Sequence, residues 1–393
     1  MASARCREKH AFGSAAKVFC ATVIMLAAVW LAAPAHAVEL SFAIGHPPKS
    51  YVVLGGSAFA DALKRETNGA VTAQIFSMSL LSMAETSSGL REGLADIGTV
   101  MNPYHAAEYP HVNLIHEASM ALDGFTGLPR NLQGAAYAGA MAEFVLMRCP
   151  ECDAEFARQN QVYTGAAAST PYTLNCTRPI RTLDDFRGAR LRVGGGNWAR
   201  WAAALGATPV TLAGDEMLEA LNQGILDCIL LDIPDVSSFG LAGAVPHITA
   251  NVPGGVFVVA FANVNRDIWQ GLSSPQRVAV MKAVAHGTAV TNWAFRQGEV
   301  EALARTDAGG GAIHDATADA RAATTRFVRG DLENLARIYA ARGVVRGAEM
   351  LDEFLVILGK WVVLVRDVSS AEDLERIYWT EIYSKVDVDQ HGF

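Results

Sequence analysis

The sequence predicts an α/β protein of two lobes, with parallel-rich sheets flanked by helices, a long helix spanning both lobes and a helical C-terminal region. Three observations predict it. Short apolar strands alternate with helix-length stretches twice, once after Val38 and again after Ala189, and that alternation builds parallel sheets covered by helices. After Pro275, residues to about 306 lack breakers apart from Gly287 and Gly298; at 1.5 Å per residue, about 30 helical residues reach roughly 45 Å, longer than one small lobe. The 393 residues, 51% apolar and 18% charged, describe a globular chain with material for more than one core.

In chain order, Val38–Ile44 alternates as a strand and stops at Gly45-His46-Pro47-Pro48, which cannot continue a ladder. Residues 57–67 have helical spacing and end at Asn68-Gly69; 70–76 form a strand, 80–93 a helix, and 96–101 a strand cut off by Asn102-Pro103. Such sheets bind ligands beyond the carboxyl ends of their strands, so pocket loops should start at His46, Ser77 and Asn102. Residues 104–160 read as mostly helical, with a loop at 124–132. Strands at 162–165 and 172–176 lead into the second rhythm: strand 189–193, helix 198–205, strand 209–212, helix 215–223 and strand 226–231. Asp215 suits an N-cap and Gly224 a helix stop. The β-branched run 256–263 returns to the first lobe. A glycine-rich loop is expected at 307–316, then helices over 317–385 interrupted at Gly343, Gly347 and Gly359.

The division is therefore a signal peptide at 1–37, lobe I at 38–165, lobe II at 166–255, a return strand and lobe-spanning helix at 256–307, and C-terminal helices at 308–393. Arg5, Arg7, Lys9 and Lys17 precede an apolar run from Val18 to Ala33, and Ala35-His36-Ala37 fits a small-x-small cleavage site. The alternative is an uncleaved anchor helix, which needs about 20 apolar residues and which this run could barely support. Cleavage near Ala37 removes four basic residues and one acidic one, taking the net charge from −8 to −11. So acidic a chain suits neither nucleic acid nor anionic membranes. The expectation is a periplasmic protein, monomeric with a dimer as the alternative.

Cys149, Cys152, Cys176 and Cys228 remain after cleavage. Four cysteines in an oxidising compartment allow three pairings; we favour Cys149 with Cys152 and Cys176 with Cys228. Cys149-Pro150-Glu151-Cys152 has redox spacing but ends the helical run 135–147 instead of following a strand, which favours a structural clip. With no second C-x-x-C or paired histidines at ligand spacing, no metal is expected. Neither a metalloprotease H-E-x-x-H nor a G-x-S-x-G nucleophile turn occurs, and no cofactor or enzymatic activity is expected.

Arg192 lies in the strand 189–193, directly before Gly194-Gly195-Gly196, a turn that lets backbone approach a ligand. Trp198 and Trp201 stand three apart on one face of the helix that follows. Trp201 suits packing against the sheet, while Trp198 could cover a ligand. His46 beside two prolines suggests a pocket position, although a solvated loop histidine reads equally simply. Met83, Met101, Asn102 and Phe257 are candidates because they end strands or sit in cleft-facing loops.

Several blocks also carry a family resemblance: Asp184-Asp185-Phe186-Arg187-Gly188-Ala189-Arg190-Leu191-Arg192-Val193, then Ala204-Leu205-Gly206-Ala207-Thr208-Pro209-Val210, then Glu219-Ala220-Leu221-Asn222-Gln223-Gly224-Ile225-Leu226-Asp227. Thr67-Asn68-Gly69, Gly93-Leu94-Ala95-Asp96-Ile97-Gly98 and the long helix agree with them. The chain resembles the dicarboxylate-binding (DctP-like) periplasmic substrate-binding proteins of tripartite ATP-independent periplasmic (TRAP) transporters. The resemblance implies a type II-like two-lobed receptor that closes over an organic acid, with Arg192 gripping its carboxylate, and hands it to integral membrane permease subunits. Where many members carry a polar, acidic or aromatic ligand contact, this chain has Leu231 and Asp232. The pocket is then either more apolar or furnished with one carboxylate, which would suit an amine or hydroxyl beside the ligand's carboxylate; equally, Asp232 could merely begin the hinge between the lobes.

Two other readings compete. Gly194-Gly195-Gly196-Asn197-Trp198-Ala199 fits the G-x-G-x-x-A dinucleotide fingerprint, with Asp215 about 20 residues on, but an exported chain seldom meets soluble nicotinamide cofactors. A receptor presenting its ligand to a membrane sensor shares the fold and differs only in the outer surface.

Overall fold

The computed structural model describes residues 37–309 and 312–393. The expected signal segment and most of its cleavage site lie outside the described residues, as does the centre of the expected loop at 307–316. Two mixed six-stranded sheets form the two lobes. Strands β1 (Val38–Ile44), β2 (Val71–Ser77), β3 (Ile97–Val100), β4 (Gln161–Val162) and β5 (Ala166–Ala168) share the first sheet with β11 (Val258–Asn265), in the order β2-β1-β3-β11-β4 with β5 also on β11. The second sheet holds β6 (Thr173–Cys176), β7 (Arg190–Val193), β8 (Thr208–Thr211), β9 (Cys228–Leu231), β10 (His247–Pro253) and β12 (Ala312–His314), in the order β12-β10-β6-β9-β7-β8. Parallel pairs β1–β3 and β9–β7–β8 sit beside antiparallel returns by β11 and β6.

The chain crosses between the sheets at 169–172 and 254–257, and the two crossings bond to each other. Ser169 N–H donates to the Phe257 carbonyl at 3.0 Å, Tyr172 N–H to the Gly255 carbonyl at 2.8 Å, and Gly254 N–H to the Tyr172 carbonyl at 3.2 Å. The long helix Ser274–Gly309 is the third connection. It crosses the helix Tyr51–Glu66 where glycines face each other: a Cβ on Gly287 would come 2.9 Å from the Gly55 carbonyl oxygen. Further along, Asn292 accepts the Ala168 N–H at 2.9 Å and donates to the Tyr378 hydroxyl. It thereby ties the first sheet to the C-terminal helix Ala371–Glu381.

Several local expectations are corrected. Residues 80–93 yield only the helix Thr86–Arg91, because the loop before it lies directly over Gly45, where a Cβ would overlap the Met83 backbone. Asp215 sits inside a short 3-10 turn, Gly214–Glu216, and does not cap the helix Met217–Asn222. Gly359 lies within the unbroken helix Gly347–Val365. Disulfides join Cys149 to Cys152 and Cys176 to Cys228, the second between directly opposed residues of β6 and β9. The first opens the helix Pro150–Arg158, but it follows a helix instead of a strand, and Cys152 is buried. Among the described residues no helix is long and apolar enough to cross a membrane, and no group of three metal-ligating side chains comes together.

Candidate functional site

Arg192 pairs with Ile229 on one side and Val210 on the other, near the carboxyl end of the parallel part of the second sheet. It is 2% exposed. Its Nε donates to the Leu212 carbonyl at 3.1 Å and its Nη2 to the Tyr104 hydroxyl at 3.0 Å; that hydroxyl also accepts the Gly214 N–H at 3.1 Å. Among the described residues no carboxylate forms an ion pair with it. A buried guanidinium held only by neutral oxygens is costly unless an anion joins it.

The guanidinium faces a cavity of about 40 Å³ at the junction of the lobes. Of the residues expected at a site, Arg192, Leu231 and Asp232 line it from the second lobe, His46, Met83 and Met101 from the first, and Phe257 from the crossing segment. The loops after His46, Ser77 and Asn102 all reach it, the last through Tyr104.

Three candidates do not line the cavity. Asn102 is buried behind it, with its carbonyl accepting from Asn113 at 3.0 Å. Trp198 is fully buried: its Nε1 donates to the Gly254 carbonyl at 3.0 Å and its ring stacks on Tyr172 at 4.4 Å, so it backs the wall. Gly194 stands just outside, where a Cβ would come 3.3 Å from Arg192 Nη1 and 3.2 Å from the Phe257 ring. Trp201 packs edge-on against Phe186, with its Nε1 donating to Thr324.

The glycine turn does not hold a phosphate-shaped space. A Cβ on Gly196 would overlap the Glu117 carboxylate, which is held there by Arg200 at 2.7 Å, and Arg200 also grips Asp331 at 2.6 Å. An acidic side chain from another element thus already faces this helix start, where a nucleotide pyrophosphate would have to sit.

Tyr104, Ser169, Tyr172, Met217, Asp235, Phe239 and Phe295 also line the cavity and were not among the expected residues. Tyr104 stands two residues past the Asn102 break, so that signal was present. Asp235 had no comparable mark. It comes to the wall because Asp232 caps the helix Ile233–Ser238, accepting the Asp235 N–H at 3.0 Å. Asp232 is fully buried and its Oδ2 has no hydrogen-bond partner. Burial, and then the neighbouring Asp235, hold its pKa well above the carboxylate range. Burial likewise pushes Asp235 up to about 6, against the hydrogen bond it accepts from Ser238 Oγ at 2.6 Å. His46 is kept neutral, its pKa lowered to about 4 by burial.

Residues 150–337 match the family described as bacterial extracellular solute-binding protein, family 7 (DctP). The C4-dicarboxylate-binding periplasmic protein DctP of Rhodobacter capsulatus is 29% identical over 154 residues, 38% of this chain; the match spans less than half of that relative, 45% of its length. A TRAP periplasmic solute-binding protein from Bordetella bronchiseptica, solved with bound (R)- and (S)-mandelate, shares the fold at a TM-score of 0.69 and 23% identity, covering 82% of this chain and 99% of its own. So does a marine-metagenome TRAP solute-binding protein specific for aromatic acids, solved with metahydroxyphenylacetate, at a TM-score of 0.71 and 18% identity, with 82% and 99% covered.

Proposed function

We propose that this chain, a member of the DctP family of bacterial extracellular solute-binding proteins, binds a small organic acid by its carboxylate in the cavity between the lobes. It then delivers that acid to the membrane permease of a TRAP transporter. The observation that carries the reading is the buried Arg192 guanidinium, unpaired with any described carboxylate and facing a largely apolar cavity. A carboxylate meets a guanidinium through parallel charge-assisted hydrogen bonds, and exclusion of water strengthens them.

The family is one of solute receptors, not enzymes, and the relatives solved with mandelate and metahydroxyphenylacetate hold acids with a single carboxylate. One carboxylate suits this chain as well. Among the described residues of the wall, Arg192 is the one basic side chain besides the neutral His46, and a second ligand carboxylate would meet Asp232 and Asp235. Expected export by the N-terminal segment places the receptor in the periplasm.

The test is a thermal-shift screen of small monocarboxylates, starting with mandelate and metahydroxyphenylacetate, followed by calorimetry on the hits. A ligand present at 100 times its Kd stabilises the receptor by about 2.7 kcal/mol. Arg192→Ala should weaken binding at least tenfold, because truncating one partner of a buried charge pair costs about 2–5 kcal/mol. Unchanged affinity in a folded Arg192→Ala protein overturns the assignment.

A further inference from the structure

We propose that the ligand carries an amine beside its carboxylate, and that the buried pair Asp232 and Asp235 receives it: the receptor takes an apolar amino acid as its zwitterion. This rests on Arg192 holding the carboxylate. Its own support is the far wall of the same cavity.

Asp232 is fully buried, lines the cavity, and presents an oxygen with no hydrogen-bond partner. Its other oxygen accepts the Asp235 N–H, while the Asp235 carboxyl accepts from Ser238 and lies close enough to the Asp232 side chain to share a proton with it. The unused oxygen is therefore the acceptor left for a ligand.

Placement agrees. Arg192 is opposite Ile229 in the parallel β7–β9 register, and Asp232 is the first residue beyond β9, capping the helix that follows. Both residues line the same cavity, and both act electrostatically on Tyr172. The long arginine side chain and the short aspartate can then face one small molecule between them.

Charge selects an amine over a hydroxyl. The groups around the pair are Arg192 from β7, Tyr172 from the crossing segment, Tyr104 and His46 from the first lobe, and Glu299 from the long helix, itself 3.7 Å from Arg130. Burial keeps His46 and Tyr172 neutral. A ligand carboxylate uses up the charge of Arg192, leaving the two aspartates with no cation of their own. Two close buried carboxylates share a proton when alone, and an ammonium group replaces that proton, which passes to the buffer. The remaining walls, Met83, Met101, Met217, Phe239, Phe257 and Phe295, are apolar and suit an aliphatic or aromatic side chain.

The experiment compares valine, leucine and phenylalanine with their 2-hydroxy and unsubstituted acid counterparts, by calorimetry on the whole receptor near pH 6.5. Two buffers of different ionisation enthalpy are used to count protons. At least one amino acid should bind tenfold or more tighter than both counterparts and release a fraction of a proton that its counterparts do not. Asp232→Asn, which keeps the helix cap, should bring the amino acid within about threefold of its counterparts; Asp235→Asn should abolish the proton release. Equal or tighter binding of the hydroxy or unsubstituted acids, retention of the preference in Asp232→Asn, or failure of every amino acid to bind at millimolar concentration overturns the inference. Arg192-dependent binding of a plain acid in any of those cases leaves the carboxylate reading standing. Binding indifferent to Arg192→Ala overturns that reading instead.

Discussion

Tyr104 holds the guanidinium in place from the opposite lobe. Its hydroxyl accepts from Arg192 Nη2 and from the Gly214 N–H, so one oxygen fixes both the arginine and the loop beside it. Tyr104→Phe removes that acceptor while keeping the ring that packs edge-on at 6.3 Å against Phe257. A hydrogen bond to a charged group contributes about 1.5–3 kcal/mol, and a bound carboxylate can recover part of it. Affinity for the acid should fall about tenfold with little change in melting temperature; calorimetry beside a thermal melt checks this, and undiminished affinity would show that the ring alone matters. Arg192 was legible because its strand, its glycine turn and the blocks around it are contiguous. Tyr104 and Tyr172 were not: each reaches the cavity from a segment far from Arg192 in sequence. Trp198 misled for the opposite reason, since its position one turn after Arg192 is right but its indole is spent on the Gly254 carbonyl.

At the scale of elements, the contact that sets the long helix on the first lobe is the close approach of Gly55 and Gly287. A side chain at 287 would press on the Gly55 carbonyl and the Phe261 ring, both 2.9 Å from the Cβ position. Overpacking of this kind costs about 1–3 kcal/mol. Gly287→Val should lower the unfolding free energy by about that much. Gly330→Ala, in the helix Ala318–Ala340 where an added Cβ meets nothing, should raise it by about 0.5–1 kcal/mol through helix propensity. Urea titration of the two variants separates packing from propensity, and equal effects would remove the crossing argument. The long helix was readable because it lacks breakers, and β1 because its alternation ends at prolines. Strands β5, β10 and β12 were not read. Ala166–Ala168 and Ala312–His314 are three residues each, and His247–Pro253 carries Asn251 and a terminal proline. What makes these segments strands is pairing with distant partners, β11 for β5 and β6 for β10.

Across the whole molecule, the lobes and the C-terminal helices meet around His116. Its Nε2 accepts the Val258 N–H at 3.0 Å, and its ring lies edge-on to Phe257 at 5.0 Å and to Trp198 at 6.3 Å. The next residue, Glu117, binds Arg200, which binds Asp331 of the helix Ala318–Ala340. Burial lowers the pKa of His116 to about 3, against about 6.5 in an unfolded chain. The unfolded state therefore binds more protons between those values, and the stability this neutral histidine allows is present above pH 6.5 and lost as pH falls toward 3. Asp235 acts in the reverse sense: with its pKa raised to about 6, its contribution is present at low pH and lost as pH rises from about 4 to 6. The two trends overlap in the intact receptor, so a variant has to separate them. His116→Gln keeps an acceptor for Val258 without the titration. Its unfolding free energy should fall below the parent's at pH 7.5 through lost packing, and that deficit should shrink by about 2–3 kcal/mol on going to pH 4.5, two units below the unfolded histidine pKa at about 1.4 kcal/mol per unit. Urea unfolding of both proteins at the two pH values measures the difference directly. A deficit that stays constant would mean that His116 takes up a proton in the folded protein as readily as in the unfolded chain.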